Sequence, residues 1–446
     1  MMEVSLHDIL NAREARVRQQ RSLLAEYRVP LLCFTMNIAG PVKTSPLIER
    51  GFCAGLETLN SQLPPKKILF QEVRMLPTGC EAYFAISMPA SELKALCTSI
   101  EEVHPLGRLF DMDVLDADGT KLERAAQRGC IVCGAPGRVC AAGRAHSADQ
   151  LQAVTSELLV HYFRNRDSER IATLAVQSLI DEVHTTPKPG LVDRRNNGSH
   201  KDMDIRLFEA SAHALQPYFR ACVELGQETA HLPQNETFPL LRNAGIQAES
   251  DMLRATGGVN THKGAIYTLG ILCGSIGRLW SAHKPIADIG DILTECISIV
   301  RDAVQADFAS ADGKTAGEQL YLRCGIRGIR GEVADGLPSV RILGLPHFQQ
   351  ALADGFSKND AGVYTLLQLI ANVTDTNLYQ RGGEAGAQWA AAAASKLLSV
   401  TPYPPVEQIA ALDDAFIVRN LSPGGCADLL AVTCFLHSLN ELYHHQ

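Results

Sequence analysis

From about residue 150 to its end the chain repeats one pattern. A helix-length run with apolar residues three and four apart is followed by a stop rich in proline or glycine. The runs fall at 150–164, 168–184, 206–228, 236–256, 264–281, 286–308, 315–323, 361–373, 385–399 and 424–443, with little β alternation among them. Such a chain can bury its apolar stripes only by packing helix on helix, so an all-α unit is expected over 166–446. The preceding residues are patterned differently. Ser5 and Asp8 suit a capping box for a helix to about Tyr27. Pro30–Met36 is an apolar run of strand length, and Ser45 and Pro46 suit the N-cap and first residue of a helix to about Leu59. Ile68–Met75 and Ala82–Ser87 flank a hairpin-like turn, Ser91–Val103 reads as a helix and Leu109–Leu115 as a strand. An α+β unit is therefore expected over 1–165, with the charged cluster Arg164–Glu169 as the hinge.

At 446 residues there is enough chain for two or three real cores. The formal charge of −8 argues against nonspecific nucleic-acid binding, and residues 1–150 carry 17 basic and 17 acidic side chains, which puts the acidic excess later. No apolar run reaches the roughly 18 residues of a membrane span; Ile266–Trp280 falls short and contains Gly270, Gly274 and Gly277. The N-terminus has no hydrophobic signal core, being interrupted by Arg13, Arg16, Arg18 and Arg21. Thirteen scattered cysteines, an odd number, read as the reduced thiols of a cytoplasmic protein.

Several polar segments interrupt these patterns. Glu182–Asp204 combines Pro187, Pro189 and Gly190 with Lys188, Asp193, Arg194, Arg195, Asn196, His200, Asp202 and Asp204, a mixture suited to phosphates, a metal ion and hydroxyls. Asn260, His262 and Lys263 precede a helix, where unpaired N–H groups favour anions. Asp375-Thr-Asn377 with Arg381-Gly-Gly383, and Asn420 to Asp428 with Gly424 and Gly425, repeat the arrangement. Each segment alone is more often a turn or a cap; four together imply one pocket at one end of a helical bundle. In the first unit, Asp111 and Asp113 are two apart on an expected strand and so share a face, a pair able to hold Mg²⁺ against a triphosphate. Lys43, near a helix start, and Arg108 are candidate phosphate contacts. Cys130, Cys133, Cys140 and His146 supply three thiols and an imidazole, a possible tetrahedral zinc set or simply small thiols in a loop.

Residues 8–150, through FTMNIAGPVKTSP, HPLGRLFDMDVLDADG and CIVCGAPGRVCAAGRAHS, resemble the apo-citrate lyase phosphoribosyl-dephospho-CoA transferases (CitX). Residues 168–443, through KPGLVDRRNNGSHKDMD, GGVNTHKGA, DTNLYQRGG and NLSPGGCADLLA, resemble the triphosphoribosyl-dephospho-CoA synthases (CitG). The resemblance implies that the helical unit joins ATP to 3′-dephospho-CoA with loss of adenine. The first unit would then transfer the phosphoribosyl-dephospho-CoA group to a serine of the apo acyl carrier (γ) subunit of citrate lyase, releasing pyrophosphate. It further implies a nucleotidyltransferase-like role for Asp111 and Asp113, with Mg²⁺. In the helical unit Asp202 or Asp204 would serve the attacking hydroxyl or the ribosyl cation, and His262 the leaving base. Lys188, Arg194, Asn260, Lys263, Arg381, Gly424 and Gly425 would hold phosphates, and Asp193 and Asp428 Mg²⁺. One departure is Cys426, where the family leads one to expect a small hydroxyl residue that could touch phosphate. The rival readings are an ATP-dependent kinase, a nucleotide N-glycohydrolase, or a scaffold that binds the carrier without chemistry.

Overall fold

The computed structural model describes residues 3–124, 127–284 and 286–444. The chain divides into two compact units, Met1–Arg166 and Asp167–Gln446.

The first unit is α+β. Its elements are α1 (Leu6–Tyr27), β1 (Leu31–Met36), α2 (Pro46–Gln62), β2 (Ile68–Leu76), β3 (Gly79–Ile86), α3 (Ala90–Val103), β4 (Phe110–Leu115) and a short α4 (Gly137–Ala142). The Ser5–Asp8 capping box opens α1, and Ser45 caps α2 with Pro46 in its first turn. The four strands form an antiparallel sheet in the order β2-β3-β1-β4. Strand alternation sends Phe34 and Phe110 to one face, where Phe34 stacks on Phe52 of α2 at 4.7 Å and meets Phe110 edge-on at 5.4 Å. Each of these rings is fully buried, which contributes roughly 1.5–3 kcal/mol apiece. Leu23 of α1 packs on the other face with Leu31, Cys33, Tyr83 and Ala85.

The second unit is all-α. It begins within α5 (Ala148–His184) and continues with α6 (Ile205–Ala214), α7 (Gln216–Thr229), α8 (Gln234–Ala255), α9 (Lys263–Leu279), α10 (Ile289–Ala309), α11 (Ala316–Cys324) and α12 (Gly328–Ala334). The last five helices are α13 (Leu345–Ala353), α14 (Lys358–Asn372), α15 (Thr376–Val400), α16 (Val406–Val418) and α17 (Gly424–His444). Every residue from Ala265 to Arg278 of α9 is buried except Tyr267. Its glycines allow this. A Cβ on Gly226 of α7 would lie 2.0 Å from the Gly274 carbonyl oxygen, and one on Gly277 would lie 2.1 Å from the Val223 carbonyl oxygen. The helices thus touch backbone to backbone, where only glycine fits.

Three expectations need correction. The helices expected at 150–164 and 168–184 are one, α5, which contains neither proline nor glycine between residues 150 and 184, and the boundary between the units at Arg166 and Asp167 falls within it. The single helix expected over 206–228 is two, because Pro217 has no N–H to continue the ladder past Leu215. Helices α12, α13 and α16 were not anticipated, although Pro405 marks the start of α16.

Candidate active site

A cavity of about 1090 Å³ opens in the helical unit. Its wall includes Lys188 and His200 from the first polar segment, Asn260 to Gly264 from the second, Asp375 to Asn377 with Arg381 from the third, and Ser422, Gly424, Gly425 and Asp428 from the fourth. The four segments expected to share a pocket do share one. Helices α9, α15 and α17 all begin on this wall, so three positive helix ends face one space.

The long segment 185–204 reaches the cavity with few of its polar groups, because most of them fasten it in place. Asp193, almost fully buried, accepts the N–H groups of Lys188 at 2.8 Å, Arg195 at 2.7 Å and Asn196 at 3.0 Å. The fully buried Asp413 of α16 accepts the Gly190 N–H at 2.8 Å and the Asn196 amide at 2.7 Å, and pairs with Arg195. Gly190 has φ +73°, and a Cβ there would lie 2.2 Å from the Leu421 carbonyl oxygen. Asp193 is therefore a loop organiser, and the expectation that it ligates Mg²⁺ is corrected: its oxygens already serve backbone donors. Arg194 is exposed and is not on the cavity wall. Asp204 caps α6 by accepting the Leu207 N–H at 2.9 Å, and it too lies off the wall. Asp202 is exposed just outside the wall, close enough for its charge to act on His200 and Arg381.

Inside, Lys188 is fully buried and its Nζ binds the Glu182 carbonyl oxygen at 2.8 Å and the Glu182 carboxylate. This lysine already has a partner. Burial raises the pKa of Glu182, and Lys188 opposes the rise. Lys263 pairs with Glu249 at 2.8 Å, and its own N–H donates to Asn260 Oδ1 at 3.3 Å. Arg381 donates to the Ser199 carbonyl oxygen at 2.9 Å and to Asn420 Oδ1 at 3.1 Å, and lies 3.1 Å from His200 Nδ1. Burial raises Asp428 well above the carboxylate range; the charges of Glu182 and Asp375 add to that, and the Ala265 N–H offsets part of it. A Cβ on Gly264 would lie 1.9 Å from Asp428 Oδ2, so the carboxylate sits against the α9 backbone.

His262 is buried and on the wall. Thr261 Oγ1 donates to Ser211 Oγ at 2.7 Å, and Ser211 Oγ lies 2.7 Å from His262 Nδ1. The Ser211 hydroxyl accepts from Thr261 and keeps its one proton to donate to Nδ1, an arrangement that puts the ring proton on Nε2. That nitrogen is buried and has no hydrogen-bond partner among the described residues. Burial first, and Lys188 second, depress the pKa of the ring to about 3. His262 is therefore a neutral N–H donor, not a cationic acid.

The sequence marked Asp375 within its polar segment but not its role, and it gave no sign of two arginines on the wall. Asp375 caps α15, accepting the Asn377 and Leu378 N–H groups at 2.7 and 3.1 Å, while its second oxygen accepts the Cys426 N–H at 2.8 Å in the first turn of α17. Its place before Thr376 and Asn377 was the available signal. Arg327 and Arg330 reach the wall from the glycine-spaced run 325–331, where nothing but that spacing marked them. Cys426 is fully buried and off the wall with its side chain against the Asp375 carboxylate, so a hydroxyl in its place would meet that carboxylate.

In the first unit the sheet aligns two rows on one face. Glu81, Thr35 and Asp111 are paired across β3, β1 and β4, with Tyr83, Cys33 and Asp113 in the next row. Asp111 and Asp113 share that face as expected. Desolvation first, and the Asp113 charge second, raise the pKa of Asp111. Asp113 pairs with Lys121 at 2.6 Å. Glu81, a carboxylate not anticipated, is held by Arg16 at 2.7 Å and the Tyr83 hydroxyl at 2.6 Å. Lys43 donates to the Ile38 carbonyl oxygen of its own loop. Arg108 donates to the Gly129 carbonyl oxygen and lines a second cavity of about 530 Å³ with Arg124, Arg128, Arg138 and Arg144.

Both units match known families. Residues 168–446 match the family model described as ATP:dephospho-CoA triphosphoribosyl transferase, and residues 4–162 the model described as apo-citrate lyase phosphoribosyl-dephospho-CoA transferase. A protein named CitXG from Haemophilus influenzae is 37% identical, covering 98% of this chain and 96% of its own. One of the same name from Leuconostoc mesenteroides subsp. cremoris is 32% identical over 98% and 97%. A probable 2-(5''-triphosphoribosyl)-3'-dephosphocoenzyme-A synthase of Vibrio cholerae is 43% identical, covering 61% of this chain and 89% of its own. With both models matched in one polypeptide and relatives aligned along nearly its full length, the chain belongs to the CitXG family.

Proposed function

We propose that the helical-unit cavity is where ATP and 3′-dephospho-CoA react and that the aspartate face of the sheet is where the product is passed on. The chain is a bifunctional transferase that makes the citrate lyase prosthetic-group precursor and transfers it to the apo-enzyme. The observation that carries the first assignment is the convergence of four polar segments and three helix N-termini on one wall. Positive helix ends, with Arg327, Arg330 and Arg381, suit a triphosphate that must stay in place while the base departs.

In the reaction the 2′-hydroxyl of dephospho-CoA attacks C1′ of the ATP ribose, the bond to N9 breaks, and adenine leaves with a proton. Neutral His262 offers its Nε2–H to the departing base or to a ribosyl phosphate, without supplying a charge. Asp202, which makes no hydrogen bond among the described residues, is the carboxylate free to take the hydroxyl proton at the cavity mouth. Asp428 has more spare lone pairs than Asp375 or Glu182, which are committed to N–H groups and to Lys188. A buried carboxylate with uncommitted lone pairs suits a hard cation, so Asp428 would hold Mg²⁺, which neutralises polyphosphate charge when bound.

In the first unit, Asp111 and Asp113 would hold Mg²⁺ in a nucleotidyltransferase-like manner, the ion supplying charge neutralisation when bound, while the carrier serine attacks the α-phosphorus and pyrophosphate leaves. A cytoplasmic location goes with this chemistry, and no helix among the described residues is long and apolar enough to cross a membrane. The test is to incubate the protein with ATP, Mg²⁺, dephospho-CoA and apo carrier. Free adenine together with a carrier mass gain of one phosphoribosyl-dephospho-CoA group is expected. ADP formation would indicate a kinase instead, and adenine release without dephospho-CoA a glycohydrolase.

A further inference from the structure

Nothing in either reaction uses Cys130, Cys133, Cys140 and His146. One ligand atom from each lies within 4.8 Å of all the others. Cys133 Sγ is 3.5 Å from Cys140 Sγ and 3.3 Å from His146 Nε2. A tetrahedral zinc ion with Zn–S of about 2.3 Å and Zn–N of about 2.0 Å sets sulfurs roughly 3.8 Å apart and sulfur to nitrogen roughly 3.5 Å. The two pairs are within about 0.3 Å of those spacings, and the thiols are well beyond the roughly 2.0 Å of a disulfide.

The backbone is folded to hold this set. The Cys130 N–H donates to the Ala135 carbonyl oxygen at 2.6 Å and the Gly134 N–H to the Cys130 carbonyl oxygen at 3.0 Å. Gly134 takes φ +73°, which closes the turn directly after Cys133. The Val132 N–H points at Cys130 Sγ at 3.4 Å, a donor that favours thiolate. Cys140 comes from α4, and the Ala145 N–H bonds back to its carbonyl oxygen at 3.0 Å, which brings His146 round to the sulfurs. Yet no residue from 127 to 147 is fully buried. A segment that folds into a turn, a helix and a return without an apolar core needs a cross-link to stay ordered.

We propose that Cys130, Cys133, Cys140 and His146 bind one zinc ion, and that this ion fixes the 127–147 segment so that its arginines face the second cavity. Three thiolates and a neutral imidazole leave the site with one net negative charge, and zinc uptake displaces the thiol protons. The segment is tied to the strand that carries the aspartates, because Arg128 donates to the Phe110 carbonyl oxygen and Arg108 to that of Gly129. Arg138 and Arg144 enter the cavity from the segment itself. The role is one of positioning: the ion would touch no substrate, and this half of the proposal rests on the transferase assignment.

The test begins with zinc content of the full chain, purified reduced with zinc present and then desalted. About one ion per chain is expected, and the cobalt-substituted protein should show thiolate-to-cobalt charge transfer and tetrahedral d–d bands. The Cys133→Ser/Cys140→Ser variant should lose the ion, whereas Cys53→Ser, altered elsewhere in the unit, should keep it. Carrier modification by the double variant should fall about tenfold or more, with adenine release unchanged. Stripping the wild type with a chelator and reloading it should switch transfer off and on, a reading that holds even if the variant folds poorly. A zinc-free wild type, or full zinc in the double variant, would overturn the site. Unchanged transfer after zinc is lost would overturn the positioning role. Absence of transfer in zinc-loaded wild type would count against the transferase assignment, while zinc content still decides the site.

Discussion

Asp375 shows how one buried carboxylate can organise a site without touching substrate. It ties the first turns of α15 and α17 together through three backbone N–H groups. Asp375→Ala leaves those donors unpaired, and a loss of about 2–4 kcal/mol in denaturant unfolding of the helical unit is expected. A loss under about 0.5 kcal/mol would show that water replaces it. His262 yields a prediction with a definite sign. Its folded-state pKa is lowered to about 3 while the unfolded chain titrates at the ordinary histidine value near 6.5. Below pH 6.5 the unfolded state takes up a proton that the folded state refuses, so stability falls by about 1.4 kcal/mol per pH unit from this group. Wild type should therefore lose more stability between pH 7 and 5.5 than His262→Gln does. Equal losses would mean the ring is protonated in the fold.

At the level of elements, close approach of backbones decides most of the geometry. Where α7 crosses α9, Gly277→Ala drives a methyl to 2.1 Å from a carbonyl oxygen, so the helices must separate and about 2 kcal/mol or more of stability should be lost. Gly264→Ala acts at the site itself. Its Cβ would displace the Asp428 carboxylate from the start of α9, so adenine release should fall about 100-fold with a smaller change in stability. Wild-type turnover in that variant would mean Asp428 has no part in the reaction. Gly277 was visible in the sequence as an interruption of an apolar run and Gly264 as the end of a polar segment. Their use, letting backbones touch, was not, because it depends on which helix lies opposite.

For the molecule as a whole, two active faces on two compact units should give separable losses. Asp111→Asn with Asp113→Asn is expected to reduce carrier modification by at least about 1000-fold, measured by mass spectrometry, with adenine release retained. Asp428→Asn should do the reverse when the carrier is supplied with preformed triphosphoribosyl-dephospho-CoA. Loss of both steps in either variant would contradict two independent sites.

The amino-acid sequence alone determined the α+β and all-α character of the two parts, because helix and strand periodicities, caps and proline or glycine stops act over a few residues. It also determined which segments hold chemistry, since Lys, Asp, Asn, His and glycine at helix ends have few other uses when they recur together. Tertiary structure alone decided which of those groups line the cavity. Asp193 and Asp204 carry the same carboxylate as Asp428, yet the first two are turned onto backbone donors and the third into the cavity. That choice depends on hydrogen-bond partners drawn from distant parts of the chain, such as Asp413 for the 185–204 segment and Cys426 for Asp375, and no local pattern encodes them.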